Sequence, residues 1–242
     1  MAKAPLYKKI KSHIIQSLIA NEWRPGELIP NEKQLAERFG VAISTIRAAI
    51  GELVASNVLT RIQGKGTFVT HHSSRLNAYR FFNLYQADGV KASFYRDLVR
   101  IRKEVPGARA ARLLKLDNTD ENVLRLRLHI TTRNTPIAVS DLIVPERLFP
   151  DLGRSVAIEG DSSLYALFQT TYNINVVRVD ERLSAVGAGS SVAQTLGLKT
   201  GEPVLQVERT AFTFNEQPVE IRTTWIHTRN HHYLVSRGDQ SL

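Results

Sequence analysis

Ser44, Thr45 and Arg47 stand together at the start of a segment with helical apolar spacing, and Gln63-Gly64-Lys65-Gly66 follows a short way on. Two hydroxyls and a guanidinium are the groups that bond phosphate oxygens and the edges of bases. A lysine between glycines brings a cation and bare backbone close to a groove. Lys33, on the segment before, adds another cation. The chemistry these residue types do together is recognition of a regular polyanion, duplex nucleic acid. Competing readings are structural: Arg47 closing a surface salt bridge to Glu52 or Glu27, and Lys33 as an ordinary solvated helix lysine.

The elements around them set their geometry. Pro5 suits a first helical turn, and Ile10, Ile14 and Leu18, with Ile15 and Ile19, make one apolar stripe that Trp23-Arg24-Pro25-Gly26 ends. Asn31 is a good N-cap and Gln34, three places on, can bond back to it in a capping box. Leu35, Ala36 and Phe39 face inward, and Gly40 terminates that helix. In the next helix Ile46, Ile50, Leu53 and Val54 share a face, leaving Ser44, Thr45, Arg47 and Ala48 on the opposite shoulder. Residues 58–62 and 67–69 are short β segments around the Gly64-Lys65-Gly66 tip, a hairpin. Two helices about a tight turn, then a hairpin, is the order of a winged helix-turn-helix, which lays one helix in the major groove.

Composition agrees. The chain has 242 residues, enough for two modest domains, and a formal net charge of +9. Residues 1–70 hold ten Lys and Arg against five Glu, which suits a polyanionic partner. There is no cysteine, so disulfides and thiolate metal sites are excluded. The N-terminus lacks the apolar region of a signal peptide and no run approaches a membrane span, so a cytoplasmic protein with no membrane partner is expected. His71-His72 and His231-His232 have no carboxylate or cysteine cluster beside them, and no metal or other cofactor is expected.

Over residues 6–70 the chain resembles the GntR family of bacterial transcription regulators. The matching words are Leu6-Tyr7, Pro25-Gly26-Glu27, Pro30-Asn31-Glu32, Leu35-Ala36-Glu37-Arg38-Phe39-Gly40-Val41, Ser44-Thr45-Ile46-Arg47-Ala48-Ala49-Ile50 and the run Arg61 to Val69. The resemblance implies that Lys33 contacts phosphate or a base edge, Ser44 and Thr45 bond phosphates, Arg47 enters the major groove and Gly64 the minor groove, with Gln63 and Lys65 at the same tip. The family usually has Ser/Thr-Arg where this chain has Ala42-Ile43. The missing hydroxyl costs about 1 kcal/mol unless Ser44 takes over the cap. The missing arginine removes a guanine contact worth roughly 1–3 kcal/mol of discrimination, with Ile43 free to meet a thymine methyl instead.

Beyond the polar, unpatterned residues 71–78, read as a linker between domains 1–70 and 79–242, strands alternate with short helices. Strands are expected at 98–102, Val123–Thr132, 137–144, 176–186, 204–214 and 219–227. Helices are expected at 108–116 (Ala111 and Leu114 inside), 163–172 (amphipathic through Leu164, Leu167 and Phe168) and 189–196 (capped by Ser190 or Ser191). Hairpins with helices on one face make an antiparallel α+β domain. Residues 78–235 resemble the effector-sensing UTRA domain of the HutC subfamily, which is related to chorismate lyase. The words are Thr135-Pro136-Ile137-Ala138, Val144 to Pro150, Ser163-Leu164-Tyr165, Leu196-Gly197-Leu198, Pro203-Val204-Leu205, Val207-Glu208-Arg209-Thr210-Ala211-Phe212 and Pro218-Val219-Glu220.

The resemblance implies a small effector, often a phosphorylated sugar or an acid, between the sheet and the Ser-Leu-Tyr helix. Ser93, Arg125, Arg127, Ser163, Tyr165 and Glu220 are its candidate contacts. Members commonly place arginines where this chain has Leu128 and Ile130, while Arg125 and Arg127 stand earlier on that strand. Either the strand register differs or the effector is less anionic than a sugar phosphate. Tyr165 and Leu164 as core, and Arg125 as outward surface, are the competing readings. The expected protein is a homodimeric regulator, a repressor in most of this subfamily, binding palindromic operator DNA under control of a small metabolite. A lyase-like enzyme fused to a DNA-binding module is the alternative, but no Ser-His-Asp set, metal-ligand spacing or phosphate loop is visible, so no catalytic residue is expected.

Overall fold

A computed structural model of the chain describes residues 5–71, 83–90, 94–116, 121–132, 135–158 and 163–235. The N-terminal unit has α1 (Leu6–Ile19), α2 (Glu32–Phe39), α3 (Ile43–Ala55) and the hairpin β1 (Leu59–Ile62) and β2 (Gly66–Val69). Its core joins Ile10, Ile14 and Leu18 of α1, Leu35 of α2, and Ile46, Ala49, Ile50 and Leu53 of α3 to Leu59 and Val69 of the hairpin. Asn31 caps α2 as expected: its side chain accepts from Gln34 N while Gln34 returns a bond to Asn31 N, both at 2.9 Å. Gly40 ends α2 at φ 63°, the left-handed geometry that lets the chain turn directly into α3.

The larger unit is a six-stranded antiparallel sheet in the order β4-β5-β6-β9-β8-β7. Its strands are β4 (Tyr95–Glu104), β5 (Val123–Thr132), β6 (Thr135–Pro145), β7 (Arg178–Gly187), β8 (Pro203–Phe212) and β9 (Pro218–Ile226). The short strands β3 (Leu84–Gln86) and β10 (His231–Tyr233) pair separately. The helices are α4 (Ala108–Leu114), α5 (Leu152–Ile158), α6 (Leu164–Tyr172) and α7 (Ser190–Leu196). They cover both faces, which corrects the one-face expectation. Leu126, Leu128, Leu142 and Val144 pack with Phe149, Tyr165 and Phe168 on one face, here called inner. On the outer face Ile143 packs with Ala110 and Leu114 of α4, and Val139 packs with Val192, Ala193 and Leu196 of α7.

Smaller corrections have local causes. Ala110 rather than Ala111 is the buried alanine of α4, because Leu114 four residues on lies over it. Gly189, not a serine, occupies the N-cap of α7, and the Ser191 hydroxyl instead meets Arg127. The α6 helix is not amphipathic: Leu164 through Gln169 are all buried. It lies between the sheet and the N-terminal unit. Gln169 Nε2 donates to the Thr70 carbonyl at 2.9 Å, and Phe214 and Val177 join the N-terminal core. Most of the expected linker, residues 72–78, lies outside the described residues, as do Ser93 and the Arg133-Asn134 turn.

Candidate DNA-reading surface and effector site

The α3 helix buries Ile46, Ala49, Ile50 and Leu53, so its remaining face is turned outward. Ile43, Ser44, Arg47 and Ala48 are exposed and Thr45 is half-buried. The N-cap is Ala42 in extended geometry with no side-chain bond, so Ser44 does not replace the missing capping hydroxyl. The first turn of α3 therefore has no side-chain cap and no acidic residue. Ile43 is 42% exposed, an apolar side chain at the leading end of the helix.

Beside α3, Arg61, Gln63, Gly64 and Lys65 are exposed at the hairpin tip. Leu28 bridges Phe68, and the Ile29 N–H donates to the Thr67 carbonyl, so the wing is held along its length. Gly66 is required: at φ 117° a Cβ would stand 2.6 Å from Leu28 Cδ1. Lys33 is exposed on α2. The structure thus brings Lys33, Ser44, Thr45, Arg47, Gln63, Gly64 and Lys65 onto the exposed surface of one winged helix. Arg47 does close an ion pair, but with Glu32 at 2.9 Å, not with Glu52 or Glu27. Glu52 takes Lys11 at 2.8 Å, and Glu27 accepts from Arg24 N at 2.9 Å.

The effector candidates separate. Ser163, Tyr165 and Glu220 are all buried, and Tyr165 and Glu220 meet on the inner face. Tyr165 OH donates to Glu220 Oε1 at 3.1 Å, and Arg222 grips the same carboxylate through Nε at 2.9 Å and Nη2 at 2.7 Å. Arg209 Nη1 donates to Tyr165 OH at 3.3 Å, while its Nε and Nη2 reach Glu181 Oε1 at 2.8 and 2.6 Å. Tyr233 OH donates to the same Glu181 carboxylate at 2.9 Å. Burial, then the Glu220 charge, pushes the Tyr165 phenol up to about 12, so it remains a hydrogen-bond donor at neutral pH. Burial likewise pushes Tyr233 up to about 12.

Arg125 and Arg127 do not join this group. Residues alternate across a strand, and Leu124, Leu126, Leu128 and Ile130 take the inner side. Arg125 therefore lies on the outer face against Glu104 at 2.7 Å, and Arg127 grips Asp141 at 2.7 and 2.6 Å with Ser191 at 2.7 Å. Arg125 lines an outer-face groove of about 740 Å³ between α4 and the sheet. The Arg209, Arg222, Glu181 and Tyr233 cluster was not foreseen. Its sequence signal is opposite charge on alternate residues of one strand, Glu220 with Arg222.

A family model described as bacterial regulatory proteins, gntR family, matches residues 6–69, and one described as UTRA domain matches residues 96–232. The chain belongs to the GntR family, with a UTRA domain as its C-terminal part. Among its relatives, the "Probable fructoselysine utilization operon transcriptional repressor" of Escherichia coli is 28% identical over 221 residues, 89% of this chain and 88% of that one. The histidine utilization repressor of Pseudomonas putida is 26% identical over 238 residues, 97% of this chain and 92% of that one. The crystal structure of a GntR-family ligand-binding domain from Bordetella bronchiseptica is 30% identical, with a TM-score of 0.62 over 66% of this chain and 99% of that one. Its curated relatives are transcription regulators, and this GntR-UTRA chain is a regulator rather than an enzyme.

Proposed function

We propose that this regulator is a repressor that binds a palindromic operator as a homodimer in the cytoplasm and is released by a small metabolite held on the inner face of its UTRA sheet. The observation that carries the reading is the exposed shoulder of α3, whose Ser44 and Arg47 stand outward while the opposite side of the helix packs into a core shared with the wing. In a dimer two such helices enter successive major grooves about 34 Å apart. Ser44, Thr45 and Lys33 take phosphates, Arg47 reads a base edge, and Gln63, Gly64 and Lys65 follow the adjacent groove.

The inner-face network supports the choice of effector class. Arg209 and Arg222 are balanced by Glu181 and Glu220, and the strand beside them, β6, presents Leu142 and Val144 on the same face. A net-neutral polar cluster next to an apolar wall suits a zwitterion or polyol better than a phosphate dianion, which would find no surplus positive charge there. Two relatives are named for utilization of histidine and of fructoselysine, both amino compounds of that class. Because the effector favours one conformation, effector and operator weaken each other reciprocally.

The test is Arg47→Ala in a mobility-shift titration against a duplex selected from random sequence by the full-length chain. Selective affinity is expected to fall by about 1–3 kcal/mol with unchanged oligomeric state. Unchanged affinity would remove Arg47 from the reading surface.

A further inference from the structure

Glu32 puts a carboxylate on a surface that faces polyphosphate in the function proposed above, and the inference here rests on that reading. The two oxygens of Glu32 hold arginines from different elements. Oε2 accepts from Arg47 Nε of α3 at 2.9 Å, and Oε1 accepts from Arg61 Nη2 of β1 at 3.1 Å. The arginine side chains are 65% and 51% exposed against 25% for Glu32. Exposed pairs of this kind contribute little to stability, so fold maintenance is a weak reason for an acid at this place.

We propose that Glu32 is the positioning residue of the DNA-reading surface, aiming Arg47 and Arg61 together and lowering their attraction to phosphate in general. Each arginine is held by one nitrogen, and its other N–H groups remain available to a base edge or backbone. An arginine already held in one orientation loses less freedom on binding than a free one. The carboxylate also cuts the charge of the three-residue cluster from +2 to +1, and that weakens binding to every sequence alike. The surface gives up some affinity and gains discrimination. Glu32 can act as a fixed point because it is the first residue of α2, inside the Asn31–Gln34 capping box, where the helix N-terminus favours a negative charge.

The experiment compares wild type with Glu32→Gln in the full-length chain, using the duplex that wild type selects from random sequence and a shuffled duplex of equal length. Shuffled-duplex affinity is expected to rise. Its additional loss between about 50 and 200 mM salt is expected to be roughly threefold, as one more phosphate contact requires. The selected-to-shuffled ratio is expected to drop roughly fivefold or more, the discrimination carried by a well-aimed arginine. In an Arg47→Met, Arg61→Met background the same change should no longer lower the ratio, because nothing remains to be aimed.

An unchanged ratio, or equal losses on both duplexes, overturns the proposal. If Glu32→Gln melts too low to assay, Glu32→Asp decides. It keeps the charge with a shorter reach and should lower the ratio at unchanged shuffled-duplex affinity, and an unchanged ratio there overturns the proposal. A wild-type chain that selects no duplex removes the reading surface itself, a result distinct from a wild type that selects normally and a variant that discriminates equally well.

Discussion

Gln169→Ala is expected to loosen the winged helix without touching it. Gln169 is 2% exposed on α6; its amide nitrogen serves both the Thr70 carbonyl, at 2.9 Å, and Asn175 Oδ1. Thr70 directly follows β2, and its own N–H donates to the Val58 carbonyl at 3.1 Å. Truncation removes the donor common to two buried acceptors, and leaving each unsatisfied costs about 1–3 kcal/mol. The combined penalty is about 2–6 kcal/mol, and the Thr70 half, about 1–3 kcal/mol, falls on the N-terminal unit, where each kcal/mol lowers the midpoint by roughly 4–8 °C. The chain has two tryptophans, Trp23 in the N-terminal core and Trp225 on β9, so each unit carries its own fluorescent reporter. In a Trp225→Phe background the Trp23 melt is expected to drop by about 4 °C or more on adding Gln169→Ala. A shift under about 2 °C would refute the claim that α6 supports the wing.

Three further outcomes follow from local chemistry. Ala42→Ser supplies the missing N-cap hydroxyl of α3 and should stabilise the winged helix by about 1 kcal/mol, read as a higher Trp23 melting midpoint. Glu220→Gln leaves Arg222, 8% exposed, without its carboxylate; it should cost the UTRA sheet about 3–5 kcal/mol, with Arg222→Met recovering most of the loss in the double variant's Trp225 melt. His129 is pulled below its usual range by burial and then by Arg127, and His231 by burial and then by His227 and His232. Both folded-state values are lowered, so their stabilising contribution is complete above the unfolded value of 6.5 and is lost as pH falls through the lowered values. Melting midpoints should therefore decline from pH ~7.5 to ~5.5, and His129→Gln with His231→Gln should flatten that slope.

The N-terminal unit was legible because its signals are local. Asn31, Gln34 and Gly40 act on backbone a few residues away, and the Ile46-Ile50-Leu53 spacing identifies the buried side of α3 without reference to any other element. The candidate effector site was only half legible. Tyr165 and Glu220 came from motif words, but Arg125 and Arg127 were assigned to the same site although strand alternation puts them on the side opposite Leu126 and Leu128. That error arose because neither face could be assigned to a layer until the positions of α4 and α7 were known. Arg209 and Arg222 were hidden for a related reason. An arginine in a strand reads as surface, and only the pairing of β8 with β9 sets it opposite its neighbour and beside a buried tyrosine.

The α6 helix links the two units. Tyr165 and Gln169 lie one turn apart on α6, so the helix that closes the charged network is also the helix that holds Thr70. A nine-residue helix buried on most of its surface moves as a body, since sliding one end while fixing the other would break its own hydrogen-bond ladder. Any ligand that prefers one position of Tyr165 against Glu220 therefore also prefers one position of Gln169 against the wing. A metabolite that binds equally well in both positions would leave DNA binding unchanged however tightly it binds.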